Sequence, residues 1–208
     1  MPRFPIPAQS YAQLRLVASP QRADAPEAFA DEIWDTQTFV NATTLQLTYF
    51  QQPSNDKTLT NIDASAQLAQ PQYFVVHYVA VDLLFPDIST AATGVGNLSD
   101  VHKLINAARA TITFSVATKP YGPWRVRSCH SGGAPVGFGW GQAPAAPNEQ
   151  QYGHIGPHDG GFCVNGGIII PPSTNFAAVM SFAAVQTLNT NNLPIQVSLY
   201  GVRYRKVG

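Results

Sequence analysis

The stretch Tyr73 to Phe85, YFVVHYVAVDLLF, decides the fold. It is built from β-branched and aromatic residues, which pack well on a pleated surface, and prolines stand on both sides of it, Pro71 before and Pro86 after. Such a run predicts a strand at the centre of a sheet. Toward the N-terminus, Ser54-Asn55-Asp56 reads as a turn, and beyond it Leu45, Leu47 and Tyr49 alternate with Thr44, Gln46 and Thr48. A period of two predicts a half-buried strand beginning at Thr44. Toward the C-terminus, Asn97-Leu98-Ser99-Asp100 supplies N-cap residues ahead of VHKLINAARA, where Val101, Leu104, Ile105 and Ala108 recur at helical spacing, so one short helix is expected. Alternation returns at Thr111–Thr118, and a further strand is expected over Tyr121–Arg127. Three more are expected at Phe162–Ile170, Asn175–Ala184 and Ile195–Tyr204, separated by Pro171-Pro172-Ser173 and by Asn189 to Pro194.

Composition agrees with an all-β reading. The 16 glycines and 17 prolines among 208 residues punctuate the chain too often for a helical bundle. With 45% hydrophobic and 11% aromatic residues the chain can fill one core of sandwich or barrel size. About eight short strands without βαβ alternation predict two packed antiparallel sheets. Because the strongest strands lie far apart in sequence, a Greek-key or jelly-roll wrap is favoured over a simple meander.

Only 12% of residues are charged, against roughly 25% in an ordinary soluble domain, and 12 Lys+Arg balance 12 Asp+Glu. Zero net charge gives no long-range attraction for nucleic acid or an anionic membrane. No apolar stretch approaches the ~20 residues of a membrane helix, and the start, Met-Pro-Arg-Phe-Pro, does not read as a secretory signal. The charges are unevenly spread. None of either sign lies between Asp35 and Asp56, between Arg127 and Glu149, or between Asp159 and Arg203.

Residues 1–43 read as an extended N-terminal arm and 44–208 as the domain proper. The arm is electrically split. Arg3, Arg15 and Arg22 are its only charges up to residue 22, whereas Asp24, Glu27, Asp31, Glu32 and Asp35 follow without a base. The acidic part is readable as a short helix from Pro26 to Trp34 on a tether to a neighbouring subunit, or as an extended strand on the protein's own surface. Arg203, Arg205 and Lys206 form a basic end that could pair with this acidic stretch, in the same copy or an adjacent one. Residues 127–161 hold nine of the sixteen glycines, four prolines and three of the five histidines, a long irregular connection of the kind that serves interfaces.

Residues with chemistry in their side chains are few and poorly spaced. His154, His158 and Asp159 are proper metal-ligand types, but i, i+4 histidines share a metal on a helix, and Gly153, Gly156, Pro157, Gly160 and Gly161 forbid one. They read as loop histidines at an interface. Cys129 beside His130 is adjacency in sequence, not the spatial pairing that activates a nucleophile. Gly94-Val95-Gly96 lacks the third glycine and the parallel strand of a phosphate loop and reads as a turn. His77 reads as a hydrogen-bonded sheet histidine, and Cys129 and Cys163 as free, inert thiols, with one bridge between them as the alternative. Tyr121, Trp124 and Trp140 are the aromatic residues from which a sugar-stacking platform could be built, Trp124 reading as core and Trp140 as the exposed member. No catalytic, metal or cofactor residue is assigned.

Three stretches resemble the jelly-roll structural proteins of bacterial viruses. Thr60-Asn61-Ile62, Gln67-Leu68 and Pro71 leading into Phe74-Val75-Val76 are similar to that family's Thr-Asn-aliphatic turn, Leu-containing loop and Pro-started strand. Ile168 to Ile170 with Pro171-Pro172 and Asn175-Phe176 resembles the join between its penultimate strands, and Ile195 to Arg205 its closing strand with Leu-x-Gly and a basic end. The Gly-rich stretch 127–161 departs from the pattern. The resemblance implies a single jelly-roll β-sandwich acting as a non-enzymatic virion component, assembled in the host cytoplasm. An accessory or cement (decoration) protein forming trimers, with copies of itself and other capsid proteins as partners, is the expectation. The alternatives are the major capsid protein, or a collar or spike module that binds a receptor or host glycan through the Trp140 loop.

Overall fold

A computed structural model describes residues 27–54, 56–84, 103–104, 109–129, 161–188 and 192–205. These form eight strands: β1 (Glu27–Phe39), β2 (Gln46–Tyr49), β3 (Tyr73–Leu83), β4 (Thr111–Val116), β5 (Lys119–Arg125), β6 (Phe162–Ile170), β7 (Phe176–Ser181) and β8 (Leu193–Arg205). They make two four-stranded antiparallel sheets, sheet A in the order β1-β8-β3-β6 and sheet B in the order β2-β7-β4-β5. The pairings are nested. First strand lies on last, second on seventh, third on sixth and fourth on fifth, and successive pairs alternate between the sheets. The chain is thus an all-β sandwich, and β3, as its composition predicts, is interior to its sheet.

Alternation along the strands decides what fills the space between the sheets. On β4 and β7 the side chains of Ile112, Phe114 and Val116, and of Phe176, Ala178 and Met180, enter the core, while their neighbours in sequence point outward. Leu193, Ile195, Val197 and Leu199 do the same on β8. Phe176 is the aromatic hub of the interior, with ring centroids 5.5 Å from Phe50 and 6.3 Å from Phe114. Phe39 meets Phe182 edge to face at 5.1 Å at the other end of the sandwich.

β3 changes phase once. Phe74 and Val76 face the core, then Val79 and Val81, and the extra residue is accommodated at His77, where the register with both neighbours shifts. On β6 the irregularity is larger: Ile168 pairs with Val76 and Cys163 with Tyr78, so residues 164–167 all stand opposite His77. Gly166 and Gly167 make that excursion with φ of +84° and +71°. A side chain at Gly167 would press on Val75 and on the His77 ring.

Of the two readings of the acidic part of the arm, a short helix over Pro26–Trp34 or an extended strand on the protein's own surface, the structure has the strand: Glu27–Phe39 is a 13-residue edge strand of sheet A. Residues 27–39 of the expected arm are therefore part of sheet A. All thirteen residues pair with β8, from Glu27 opposite Arg205 to Phe39 opposite Leu193. This ladder outweighs any local helical preference of the acidic run. The other edge of β1 is held by the β2–β3 connection. The Asn61 side chain accepts from Trp34 N at 2.8 Å and donates to the Glu32 carbonyl at 2.7 Å, and Thr36 N donates to the Leu59 carbonyl at 2.8 Å. Residues 1–26, most of the expected helix over 101–110 and most of the Gly-rich connection lie outside the described residues. Of that helix Lys103 and Leu104 are described in a helical turn, while Arg109, with φ of +49°, and Ala110 lie outside any helix.

Candidate functional site

Several of the candidates named from the sequence lie outside the described residues: His130, Trp140, His154, His158, Asp159 and the Gly94-Val95-Gly96 turn. Others are placed. Cys129 and Cys163 are both free, which removes the bridge between them. Cys129 is fully buried, its thiol pushed up to about 12 by burial, and its Sγ contacts the Arg125 carbonyl, so it is held as a thiol and not as a nucleophilic thiolate. Trp124 stacks on Phe162 at 5.1 Å and packs against the core, as expected, and Tyr121 lies by Phe114 with the Lys119 ammonium over its ring.

His77 departs from its expectation. It is 7% exposed, yet its Nε2 finds no hydrogen-bond partner among the described residues, and burial holds its pKa below the ordinary 6.5. The reason is geometric. The phase change of β3 places the ring by Gly167 in the Gly166–Gly167 excursion of β6, which offers no side chain to bond it.

The basic end meets the acidic stretch within one chain. Arg203 forms an ion pair with Asp31, donates to Gln72 Oε1 at 2.9 Å and stands over the Phe74 ring, while the Arg205 guanidinium lies 5.5 Å from the Phe29 ring centre. Arg203 also borders a cleft of about 40 Å³ with Ile33, Asn61, Leu68 and Phe176, room for a few water molecules.

A further set of perturbed groups is one that no motif in the sequence singles out. Glu32 on β1 is opposite Tyr200 on β8, which is opposite Tyr78 on β3, which is opposite Cys163 on β6, a row across the outer face of sheet A. Asp82 lies four residues beyond Tyr78 on the same strand, opposite Gln196. Its carboxyl is raised to about 6, first by burial and then by the Glu32 charge. The Tyr200 hydroxyl, bonded to Glu32 and near both acids, is pushed above the usual tyrosine range by burial and by those charges. The row can change its charge near pH 6. Because the folded-state value lies above the ordinary 3.8, Asp82 favours folding most below about 3.8 and this contribution is lost as pH rises through about 6. At pH 8, Asp82→Asn is expected to be more stable than the parent by about 1–2 kcal/mol, allowing for screening of a partly exposed group. The two proteins should converge by pH 4, as read from urea midpoints across that range; a difference independent of pH would assign the effect to packing.

Among the described residues no group of three or more His, Cys, Asp or Glu is arranged to hold a metal ion, and no helix is long and apolar enough to cross a membrane. Compared with known proteins, the chain matches no family model, no curated sequence and no solved structure.

Proposed function

We propose that this chain is a single jelly-roll structural protein of a phage particle, an accessory or cement protein that stabilises a capsid through contacts between subunits and has no chemistry of its own. The observation that carries the reading is the nested strand order, β1-β8-β3-β6 facing β2-β7-β4-β5. An antiparallel pair of chain halves, wound so that successive pairs alternate between two sheets, is the topology a jelly roll requires. The positions of the stretches that resemble the family support the same reading. Thr60-Asn61-Ile62 secures the edge of β1, Pro71 stands two residues ahead of β3, Pro171-Pro172 separates β6 from β7, and Leu199-Tyr200-Gly201 lies in the closing strand. The shortage of charge fits a surface that is covered by neighbours in a particle, where many modest contacts between copies replace a single large one.

Native mass spectrometry and electron microscopy of the purified protein, alone and mixed with preformed phage shells from the same source, test the proposal. A closed oligomer, a trimer on this reading, that adds to the shells and raises their melting temperature is the expected result. Closed shells built from this chain alone would move it to the major-capsid role. A chain that adds to no shell and builds none would overturn the reading.

A further inference from the structure

The two sheets differ in how their outer faces are buried. On β4 of sheet B burial alternates: Ile112, Phe114 and Val116 are buried, Thr111, Thr113 and Ser115 are not, and β2 and β7 follow the same rule. Such alternation is ordinary for an antiparallel sheet with a single covered side. On β3 and β8, the interior strands of sheet A, the alternation fails. Phe74, Val76, Val197 and Leu199 face sheet B, yet Val75, Val202 and Tyr204, which point the other way, are 0%, 1% and 2% exposed. The unbroken apolar run of β3 is the sequence mark of burial on both sides.

Val75, Val202 and Tyr204 form a second apolar cluster, separate from the core between the sheets, with Tyr73 and Ile169 packed against it. The register explains the grouping: Val75 is opposite both Val202 and Ile169, and Tyr204 is opposite Tyr73. Side chains stand up from a sheet, so neighbours within it shield their flanks and leave their tips open. A tyrosine on an outer face reaches 2% exposure only under a further layer. Three segments outside the described residues are long enough to cross the sheet: 1–26, 85–102 and 130–160. Charge separates them. At outward positions of the four strands the charged side chains are Glu32 and Asp82, both acidic. Segment 85–102 brings Asp87 and Asp100, and 130–160 brings Glu149 and Asp159, neither with a Lys or Arg, whereas 1–22 carries Arg3, Arg15 and Arg22 and no acid. Position agrees with charge. The first segment runs into Glu27, which pairs with Arg205 at the Tyr204 end of the face. From Tyr204 along β8 to the row of Asp82 is roughly 27 Å, and the segment, extended, reaches on the order of 85 Å.

We propose that residues 1–26 dock as a third layer on the outer face of sheet A of their own chain, apolar side chains such as Phe4, Ile6, Tyr11 and Leu14 on the Val75–Val202–Tyr204 cluster and the arginines toward the acidic rows. The occupant is the same chain because the burial of the cluster is that of one chain by itself. Covering an apolar patch that would otherwise face water supplies the driving force, and the opposite signs of segment and face select this segment over the two acidic ones. The segment closes its own sheet and is not a tether to a neighbouring subunit. The proposal stands apart from the virion reading.

The photocrosslinking residue p-benzoylphenylalanine, placed in the whole chain at Tyr73 or Ile169 beside the cluster and at Thr48 on the outer face of sheet B as a control, tests the docking. Circular dichroism selects folded variants, mass spectrometry locates the linked peptides, and a mixture of isotope-labelled and unlabelled protein tells links within a chain from links between chains. Links from Tyr73 and Ile169 to residues 1–26 of the same chain, absent from Thr48, are the expected result. Links to 85–102 or 130–160 in their place, links to 1–26 of another copy alone, or no links from either position overturn the proposal. Hydroxyl-radical footprinting needs no probe in the face. Tyr204 should be protected in the parent, and Arg3→Glu, Arg15→Glu and Arg22→Glu together should raise oxidation of Tyr73 and Tyr204 severalfold while the circular dichroism of the sandwich is kept. A parent Tyr204 oxidised as readily as an exposed tyrosine, or protection unchanged in the triple variant, overturns the proposal as well.

Discussion

Gly201→Ala should cost at least about 3 kcal/mol, a large share of the roughly 5–15 kcal/mol that holds a domain folded. Gly201 lies on β8 opposite Val76, beside the phase change of β3. A Cβ there would sit 1.9 Å from the Val75 carbonyl oxygen and 2.8 Å from its carbon, with the Phe74 ring at 3.1 Å. The obstacle is backbone of a strand paired on both sides, so it cannot rotate away, and β3 and β8 would have to part where both sheet neighbours depend on them. Gly166→Ala is the informative companion. It has nothing within 4 Å of the added carbon but a φ of +84°, so its cost is conformational alone, about 1–2 kcal/mol. Denaturant midpoints should therefore rank Gly201→Ala well below Gly166→Ala, and the opposite ranking would mean that β8 can shift to admit the methyl group.

The same residues show what can be read from the sequence and what cannot. Seven strands announce themselves by local alternation or by a proline-bracketed apolar run, and β6 begins and ends where its residues say it should. β1 does not, because its inward positions include Asp31, Asp35 and Gln37 beside Ile33 and Phe39. The partners of Asp31 and Asp35 are Arg203, and Phe50 with Thr60, all from other parts of the chain, and no local period records them. The setting of His77, whose Nε2 has no partner among the described residues, is hidden for a similar reason: its surroundings are set by glycines on β6 that the topology alone brings near. Asp82 is visible, a single carboxylate in YFVVHYVAVDLLF, and its isolation among apolar residues is the signal that its charge is perturbed. β2 and β7 lie in the charge-free stretches 36–55 and 160–202, but only their pairing makes their uncharged outward residues neighbours.

Asp35→Ala is expected to lose about 3 kcal/mol, because it removes a buried acceptor and leaves its donors behind. Asp35 is 2% exposed on the inward side of β1. Its Oδ2 accepts from Phe50 N at 2.6 Å and from Gln37 Nε2 at 3.1 Å, and Thr60 bonds to it from the connection that covers the edge of β1. It therefore joins three pieces of chain: the first strand of sheet A, the exit of the first strand of sheet B, and the loop between β2 and β3. Phe50 N is committed to this partner, since Phe50 is wholly buried and turns with φ of +69°. Burial still raises the Asp35 carboxyl above its ordinary 3.8 despite these bonds, and burial, with the Asp35 charge second, pushes the Tyr49 hydroxyl upward. The anion is thus held at a cost that the tether offsets. Asp35→Asn keeps an acceptor for Phe50 and sheds the charge, so it should stay within about 1 kcal/mol of the parent. It should also flatten the gain in stability that Asp35 gives the parent as pH falls toward 3.8. Urea midpoints and exchange of the Phe50 and Thr36 amides distinguish the cases. Fast exchange at both in Asp35→Ala, with protection kept in Asp35→Asn, marks the carboxylate as the clasp between the sheets; equal losses in the two variants would assign the stability to charge instead of to the bond.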